Sequence, residues 1–437
     1  MQNELLARYS ALSRLVRAFS YWGSVLVLFL IVHLTKSRID WLLRRWTRAS
    51  LFPFVTANAD LIRAYAPTVK AMAFTVAVLI LCIPIAVDVY RSLRSSKVAD
   101  VARLISSTVL IWAALYLLVF RPVTDSMGTN YAIIARSPFT QDSGIHNKRL
   151  LMPALAYLFQ LRDFQPYYIF SALLTIGFIA LLIHWTKNHA PLNLWQIASL
   201  CTCSFVLFQY EYGGYPDILA YVFFILVMQD FTQPSSKLTL LVLAMLTHEA
   251  SVLVGSILAW RYLDRKRFIF YLLTVMGYLV IWFLVSGGDL HVMLRGHKVE
   301  GLSGLAWFAV APVKAWIGVL VAYKAIWILF FISVWISARK RLLHDLIFML
   351  ACAAAGILMT VFGVDTSRLM GFAFPGFLVA LAVVTKYLEE GKAKRLLIPL
   401  FIVNLLLPSF NIGLNSGIEF FPGLYQFLYG WMASLPR

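Results

Sequence analysis

The chain alternates long apolar runs with short polar connections over most of its length. The uninterrupted apolar runs cover residues 18–34, 71–87, 104–120, 166–185, 194–208, 216–228, 268–285, 316–338, 346–362, 369–385 and 396–410. A helix needs about 20 apolar residues to cross the hydrocarbon core, and shorter runs suit broken or interfacial helices. The pattern predicts an all-α polytopic integral membrane protein with about 11–13 membrane helices, short, broken and interfacial helices included.

One further run, 238–260, contains the polar pair His248 and Glu249 near its middle. As a single span, it would place the first basic cluster of the chain opposite the other three. As two half-helices that enter and leave the membrane, it places all four clusters on one side, as the positive-inside rule requires. We therefore favour the broken run. The clusters are Arg91/Arg94/Lys97, Arg261/Arg265/Lys266/Arg267, Arg339/Lys340/Arg341 and Lys386/Lys392/Lys394/Arg395.

The broken run has consequences for the connecting loops. Loops 121–165, 209–215, 286–315 and 363–368 then share one face with His248 and Glu249. Irregular backbone at membrane depth is tolerated only against protein or a water-filled cavity, so a cavity is expected beside this pair. The basic stretch 36–70 also falls on this face, and we expect it to form an interfacial amphipathic helix.

The composition excludes a soluble globular enzyme. Of the 437 residues, 61% are hydrophobic and only 13% are charged, whereas charged residues make up about a quarter of soluble proteins. The formal net charge of +18 is concentrated in the connecting clusters, which favours a topology signal over nucleic-acid binding. The four cysteines lie in apolar runs without a C-x-x-C pair, so neither a disulfide framework nor a zinc site is expected. Basic residues precede run 18–34 and no small-residue cleavage site follows, which predicts a retained anchor.

The organisation along the chain is that of one membrane domain without internal repeats. Residues 1–103 are predicted to form N-terminal membrane helices and an interfacial segment. Residues 104–410 form the main transmembrane domain, and residues 411–437 form an interfacial tail rich in aromatic side chains. The apolar segment 149–161 is too short to span, and we expect a short interfacial helix there.

The loop after Phe120 carries the first candidate chemistry. Asp125 lies just beyond a predicted span, where partial desolvation raises a carboxyl pKa and suits a general base. His146, Lys148 and Arg149 close the same loop before a helix, an arrangement that suits a phosphate. The alternatives are a helix-end aspartate that caps or is solvated, and cations that extend to lipid headgroups.

Three more clusters carry polar residues at the ends of apolar runs. Tyr215 and Asp217 follow a Gly-Gly turn, where an interface-belt tyrosine and a helix-capping aspartate are the alternatives. The pair in LTHEA, His248 and Glu249, is costly inside an apolar run and therefore functional by default. Asp365 and Arg368 stand three residues apart, which suits either a salt bridge that fixes the turn or an arginine that binds phosphate.

The order of these clusters resembles the polytopic C-type (GT-C) glycosyltransferases, which use polyprenyl-phosphate-linked sugars. The similarity covers roughly residues 104–385. It rests on Asp125, on Tyr131 with Ala135 and Arg136, on Arg149 with Leu151 or Met152 and Pro153, on LTHEA at 246–250, and on Arg368 before Pro375.

The resemblance implies an inverting hexosyl- or pentosyltransferase whose catalytic domain is 104–410 and whose general base is Asp125. It implies a polyprenyl-phosphate sugar donor, a glycan or glycolipid acceptor and contact with membrane lipids, without nucleic acid. No cofactor is expected, and nothing in the sequence indicates a divalent metal. The site would face the periplasm or exterior of a bacterial inner membrane. The implied substrate-binding residues are Tyr131, Arg136, His146, Lys148, Arg149, Tyr215, Asp217, His248, Glu249, Asp365 and Arg368.

Two other functions stay open from the sequence. A polymerase or ligase acting on polyprenyl-diphosphate glycans would depend on loop 286–315, which carries His291, Arg295, His297 and Lys298. A lipid or solute transporter is disfavoured because the sequence has no inverted repeat and only one isolated deep charge, Lys324.

Overall fold

A computed structural model describes residues 20–34, 39–40, 43, 59–119, 127–140, 149–211, 213–285, 311–362, 365–412 and 419–421. Almost all regular structure in these ranges is helical, because a chain in lipid must satisfy its backbone polar groups within itself. The all-α class is confirmed. The single exception is a small antiparallel ladder of two three-residue strands.

The described elements follow one another in this order: α1 Ser20–His33, α2 Ala59–Ser95, α3 Val98–Val119, α4 Met127–Arg136, α5 Leu151–Leu158, α6 Phe164–His189, α7 Leu194–Cys201, α8 Ser204–Glu211, α9 Asp217–Val227, α10 Pro234–Met245, α11 Ser251–Tyr262, α12 Arg265–Val285, α13 Pro312–Val321, α14 Ile326–Arg339, α15 Leu343–Phe362, α16 Thr366–Met370, a 3₁₀ turn Gly371–Ala373, α17 Phe374–Tyr387, α18 Glu390–Leu406, β1 Ser409–Asn411 and β2 Glu419–Phe421.

The fold is that of a polytopic membrane protein. In the described ranges, six helical stretches are long and apolar enough to cross a bilayer, or seven if the bent pair α13 and α14 counts as one span. The shorter apolar helices α1, α9 and α10 add to these. The long stretches are Ile62–Ser95, Val98–Tyr116, Phe164–His189, Arg265–Leu284, Leu343–Thr360 and Thr366–Tyr387.

The run 238–260 is broken, as its polar pair predicted. Helices α10 and α11 are separated by residues 246–250 and pack against each other. The ammonium group of Lys237, near the start of α10, lies 5.0 Å from the ring centre of Tyr262 at the end of α11. The two half-helices therefore form a hairpin, and the break holding His248 and Glu249 is its tip.

The four basic clusters lie at one end of the bundle, here called the basic end. The backbone N–H of Gln233, before α10, donates to Asp88 of α2 at 2.9 Å, which brings the first cluster beside the base of the hairpin. Two further contacts join the remaining clusters: Arg261 donates to Asp345 at 2.7 Å, and the ammonium group of Lys340 lies 5.5 Å from the ring centre of Tyr387. The tip of the hairpin points to the opposite end.

Two predicted spans are broken where a single helix was expected. Run 194–208 divides into α7 and α8 at Thr202, and run 316–338 divides into α13 and α14, which are bent by 77°. Lys324 lies in the second break with φ of 49° and donates to Thr202 Oγ1 and to the Leu407 carbonyl, both at 3.1 Å. A cation in an apolar run needs polar partners, and the paired breaks supply them.

The stretch 36–70, expected as an interfacial helix, does not end as a separate helix. Residues 59–70 form the first turns of α2, a helix of 37 residues whose length of about 55 Å exceeds the hydrocarbon core. Lys70 donates to the carbonyl of Leu34, which ties α2 to the end of α1. Apart from residues 39–40 and 43, the stretch 36–58 lies outside the described residues.

Segment 149–161 forms a short helix, as expected, and this helix packs inside the protein. Helix α5 buries Leu151, Met152, Ala154 and Ala156 inside the protein, and the N–H of Leu151 donates to the Leu246 carbonyl at 3.2 Å. Leu155, Tyr157 and Leu158 are only partly buried, so one side of the helix reaches the surface. Of the predicted interfacial tail, 411–437, the structure describes only residues 411–412 and 419–421.

Candidate functional site

Most of the candidate residues that the structure describes meet at the end of the bundle opposite the basic end. They come from five separate segments: helix α4, the second residue before α5, the start of α9 with the turn before it, the tip of the α10–α11 hairpin, and α16 with the residue before it. The members of this polar cluster are Tyr131, Arg149, Tyr215, Asp217, His248, Glu249, Asp365 and Arg368.

Arg149 and Glu249 form a two-pronged ion pair. Arg149 Nε and Nη2 donate to the two carboxylate oxygens of Glu249 at 3.0 and 2.6 Å, and Nη1 donates to the Tyr131 hydroxyl at 3.1 Å. The two charged side chains are only 12% and 18% exposed. Burial alone would lower the pKa of Arg149, but the Glu249 carboxylate overrides this and holds it above its ordinary value. Arg149 therefore stays charged and ties the hairpin tip to α4.

Arg368 bridges two carboxylates. Its Nη1 donates to Asp217 Oδ2 at 2.7 Å, and its Nε donates to Asp365 Oδ2 at 2.8 Å. The guanidinium carbon lies 4.8 Å from the ring centre of Tyr215 and 5.6 Å from that of Phe208, which are distances of cation–π contacts. The salt bridge predicted between Asp365 and Arg368 is thus present in the structure.

His248 connects the two ion pairs. Its Nδ1 accepts a hydrogen bond from the N–H of Ala250 at 3.0 Å, so the ring proton belongs on Nε2. Nε2 lies 3.5 Å from Asp217 Oδ1, and Nδ1 lies 3.7 Å from Glu249 Oε2. The ring packs on Phe372 with centres 4.9 Å apart. A neutral imidazole therefore stands between the two buried carboxylates.

The Gly-Gly turn before α9 sets the position of Asp217. Gly214 has φ of +92°, which favours glycine, and its N–H donates to Ser171 Oγ at 2.9 Å. A Cβ at Gly214 would approach the Cα of Gly128 to 3.1 Å. Asp217 is the first residue of α9 and makes no side-chain cap there, so its capping alternative is wrong. The tight reversal presents its carboxylate to Arg368.

Helix α16 is held in place by Ile412, the residue that follows strand β1. The N–H of Thr366 donates to the Ile412 carbonyl at 3.0 Å, and the N–H of Ile412 donates to Ser367 Oγ at 3.1 Å. These bonds fix a five-residue helix that would be marginal alone. They therefore fix the direction of Arg368.

Several polar atoms of the cluster lack a partner within the described part of the chain. They are Asp365 Oδ1 and the facing pair Asp217 Oδ1 and His248 Nε2, which lie 3.5 Å apart without a hydrogen bond between them. Burial raises the pKa of Asp365 above its ordinary value even though Arg368 opposes this. Buried polar atoms are normally satisfied. The two carboxylate oxygens are acceptors, so they suit a ligand that brings hydroxyl donors, whereas Nε2–H is a donor.

The cluster contains more carboxylates than guanidinium groups. Three carboxylates, those of Asp217, Glu249 and Asp365, surround the two guanidinium groups of Arg149 and Arg368. No group of three or more His, Cys, Asp or Glu side chains that could hold a metal ion occurs among the described residues. With His248 neutral, the described cluster carries an excess of negative charge when all its carboxyls are ionised.

Comparison of the chain with protein-family models, curated proteins and solved structures gives no match. The chemistry of the cluster therefore has to be judged from its own geometry.

The other candidate residues are not part of the described cluster. Arg136 pairs with Asp163 at 3.3 Å on the surface, where its side chain is 60% exposed. It lies five positions after Tyr131 on α4, which turns it to a different side of the helix. Asp125, His146 and Lys148 lie outside the described residues.

Three aromatic residues support the cluster without having been singled out in the sequence. The Tyr221 hydroxyl donates to the Arg368 carbonyl at 3.3 Å, and the Tyr323 hydroxyl donates to the carbonyls of Met370 and Gly371 at 3.1 and 2.9 Å. The Phe372 ring packs against the His248 ring. Two of the three could have been found from the sequence. Tyr221 stands four residues after Asp217, and Phe372 stands four residues after Arg368, so each lies about one helical turn beyond a candidate residue.

Proposed function

We propose that the protein is a membrane glycosyltransferase. It transfers a sugar from a polyprenyl-phosphate-linked donor to a lipid-linked or cell-surface glycan, with Asp125 as the general base. The observation that supports this is the meeting of Arg149, Glu249, Asp217 and Arg368 in one buried cluster. Arg149, Glu249 and Arg368 come from segments that carry the resemblance to C-type glycosyltransferases, Asp217 is a residue that the resemblance implies binds substrate, and all four lie far apart in the chain.

The proposed side of the membrane follows from the charge distribution. The basic clusters collect at the end of the bundle away from the polar cluster, and Lys and Arg are enriched on the cytoplasmic side of membrane proteins. The polar cluster then faces the outside, which in a bacterial inner membrane is the periplasm. A lipid-linked donor suits this side, because its sugar needs no nucleotide there.

Arg368 is proposed to contact the donor phosphate. Its Nε and Nη1 are used by Asp365 and Asp217, while its Nη2 has no hydrogen-bond partner in the described ranges. Arg149, by contrast, commits all three guanidinium nitrogens to Glu249 and Tyr131. In this proposal, Arg149 therefore holds the hairpin tip in position through its ion pair with Glu249. It contacts the phosphate only if that ion pair breaks.

The sugar itself is proposed to bind at the carboxylate edge of the cluster. Asp217 Oδ1 and Asp365 Oδ1 are buried acceptors without a hydrogen bond in the described ranges, although His248 Nε2 lies 3.5 Å from the first, and sugar hydroxyls are donors of matching chemistry. The Tyr215 ring beside Arg368 gives the same edge an apolar face. The donor would thus be held by its phosphate at Arg368 and by its hydroxyls at these oxygens.

The proposed reaction is a single displacement. Asp125 takes the proton of the acceptor hydroxyl while that oxygen attacks the anomeric carbon. The bond from the anomeric carbon to the phosphate oxygen breaks, and the polyprenyl phosphate leaves with the bonding electrons. Attack from the face opposite the leaving group inverts the anomeric carbon through an oxocarbenium-like transition state. The cation of Arg368 stabilises the charge that develops on the phosphate.

The test is sugar transfer from a polyprenyl-phosphate sugar by the purified protein in lipid. Asp125→Asn keeps the shape and removes the base, so its rate should fall by roughly 10² to 10⁴ with donor binding retained. Asp60→Asn is the matched control, because the Asp60 side chain is 97% exposed at the start of α2. A stable Asp125→Asn protein with full turnover would contradict the mechanism.

Two outcomes would point to the other functions. Loss of activity that follows substitution of His291, Arg295 or His297, with Asp125→Asn unaffected, would favour a polymerase or ligase. These three residues lie outside the described ranges. Movement of a lipid or solute across the membrane without formation of a glycosidic bond would favour a transporter.

A further inference from the structure

A cavity of about 730 Å³ lies at the basic end of the bundle, away from the polar cluster. It is formed where the end of α2, the start of α3, the end of α6 and the start of α7 meet. Helices α2 and α3 expose large apolar side chains beside it, among them Leu93 and Ile105. The cavity therefore lies where the protein surface contacts lipid, near the level of the headgroups.

The cavity has an apolar floor and a polar rim. Its floor includes Leu104, Leu181, Ile197 and Leu226. The rim carries hydroxyl and cationic groups, namely those of Ser92, Ser95, Ser96, Lys97, Arg103 and Lys187. An apolar floor below a cationic rim is complementary to a molecule with an acyl chain and a negative head.

The rim has more positive than negative charge. Lys187 Nζ lies 3.6 Å from Asp100 Oδ1, and Asp100 carries the one carboxylate among the residues that line the cavity. Lys97 and Arg103 are exposed, and neither has a carboxylate partner in the described ranges. These two cations are therefore available to an anionic group at the mouth of the cavity. The Ser95 and Ser96 hydroxyls donate to the Ser92 carbonyl at 2.9 and 2.8 Å, which leaves the Ser92 hydroxyl as the rim serine that can donate there.

We propose that this cavity binds a membrane phospholipid with an anionic headgroup. The headgroup phosphate lies against Lys97, Arg103 and the Ser92 hydroxyl, and an acyl chain covers the apolar floor. Anionic lipids are attracted to basic residues at the cytoplasmic surface, and the cavity adds a shaped apolar site that a bare basic surface lacks. The proposal is independent of the glycosyltransferase assignment, because it uses neither the polar cluster nor Asp125.

The first test removes the cations and keeps the cavity. The variant Lys97→Gln/Arg103→Gln is compared with Arg265→Gln/Lys266→Gln, which removes the same charge from exposed positions at the same end. The probe is a fluorescent phosphatidylglycerol titrated into purified protein in phosphatidylcholine nanodiscs. At about fivefold per cation, the first variant should bind about 25-fold more weakly, and the second should change little. Equal losses in both variants would overturn the proposal.

The second test fills the cavity and keeps the cations. Ala180 and Ser107 line the cavity, so Ala180→Phe and the smaller change Ser107→Ile should each weaken binding of the probe. Thermal stability of both variants is measured in parallel. Unchanged binding by either stable variant would mean that the headgroup binds to surface charge alone, which overturns the proposal.

A third measurement separates a lipid from a free anion. Unlabelled phosphatidylglycerol should displace the probe from the wild-type protein, whereas inorganic phosphate and phosphatidylcholine should not. Displacement by millimolar inorganic phosphate would show a site for a soluble anion instead of a lipid. Displacement by phosphatidylcholine at the same concentration would show an apolar site without charge selection, and either result overturns the proposal.

Discussion

The ion pair between Arg149 and Glu249 offers the sharpest separation of structural from catalytic roles. Two single variants, Arg149→Met and Glu249→Leu, each remove one partner and leave the other charge buried. The double variant Arg149→Met/Glu249→Leu replaces the whole pair with apolar side chains of similar size. We expect both single variants to be strongly destabilised and the double variant to recover most of the lost stability.

The magnitude follows from the burial of the pair. Its side chains are 12% and 18% exposed, and the carboxylate accepts two bonds from one guanidinium. Removing one partner of a buried pair costs about 3–5 kcal/mol, which lowers the ratio of folded to unfolded protein roughly a hundred- to a few thousand-fold. Replacing both partners is often neutral, apart from about 1 kcal/mol for the lost bond to Tyr131.

The assay measures stability and catalysis on the same samples. The free energy of unfolding is obtained by titrating sodium dodecyl sulfate into protein in mixed micelles, and transfer is measured from a polyprenyl-phosphate sugar. Arg136→Ala is the matched control, because its pair with Asp163 is largely exposed and should contribute less than about 1 kcal/mol. We expect the double variant to fold and to transfer little sugar.

Two results would refute this reasoning. If the single variants are as stable as the wild type, the pair is not buried in the folded protein as its exposure indicates. If the stable double variant transfers sugar at the wild-type rate, the pair has no part in catalysis, and the hairpin tip serves the fold alone.

Three further predictions concern the rest of the cluster. Arg368→Lys keeps the charge and loses the planar fork, so it should retain partial donor binding while Arg368→Ala binds little, and equal binding by both would contradict the bridging role. Gly214→Ala should cost about 1–3 kcal/mol of stability because of its positive φ and the nearby Gly128 backbone, whereas Gly177→Ala, with open space around it, should cost nothing. Donor affinity should fall as pH rises through the raised pKa of Asp365, because deprotonation adds a negative charge beside the phosphate, and a titration of the donor dissociation constant in Asp365→Asn should lose this dependence.

The broken hairpin could be predicted from the sequence because two separate physical costs agree there. His248 and Glu249 are expensive inside an apolar run, and a single span through them would separate the basic clusters. Both costs are read from the order of residues alone. The structure confirms the break and the shared end of the clusters.

The pairings inside the cluster could not be predicted in the same way. Arg149 and Glu249 are 100 residues apart, and Arg368 and Asp217 are 151 residues apart. A local pattern fixes which residues are polar and at which end of a helix they stand, but not which partner the packing brings to them. For this reason the sequence pattern predicted that Arg149 binds phosphate. In the structure, all three of its guanidinium nitrogens donate within the described cluster.

The breaks at Thr202 and Lys324 were missed for a related reason. Each lies in a run whose hydropathy is that of a continuous span, and threonine alone is common in membrane helices. The signal was Lys324, which the sequence marked only as an isolated deep charge. Its ammonium group needs hydrogen-bond acceptors. It finds them at Thr202 Oγ1, in the break between α7 and α8, and at the Leu407 carbonyl, where α18 ends. A lone cation in an apolar run therefore predicts a break in a neighbouring helix as well as in its own.

The charge balance of the cluster also constrains how an anionic donor could enter it. Three carboxylates already hold two guanidinium groups, so a phosphate meets a net negative surround unless one charge changes. Asp365 is the carboxyl suited to that change, because burial raises its pKa and its Oδ1 has no partner among the described residues. A proton on Asp365 would leave Arg368 balanced by Asp217 alone and would turn an acceptor into a donor toward the phosphate. Under the proposed function, donor binding and proton uptake are then linked, and loss of that proton would favour release of the product phosphate from the excess of carboxylates.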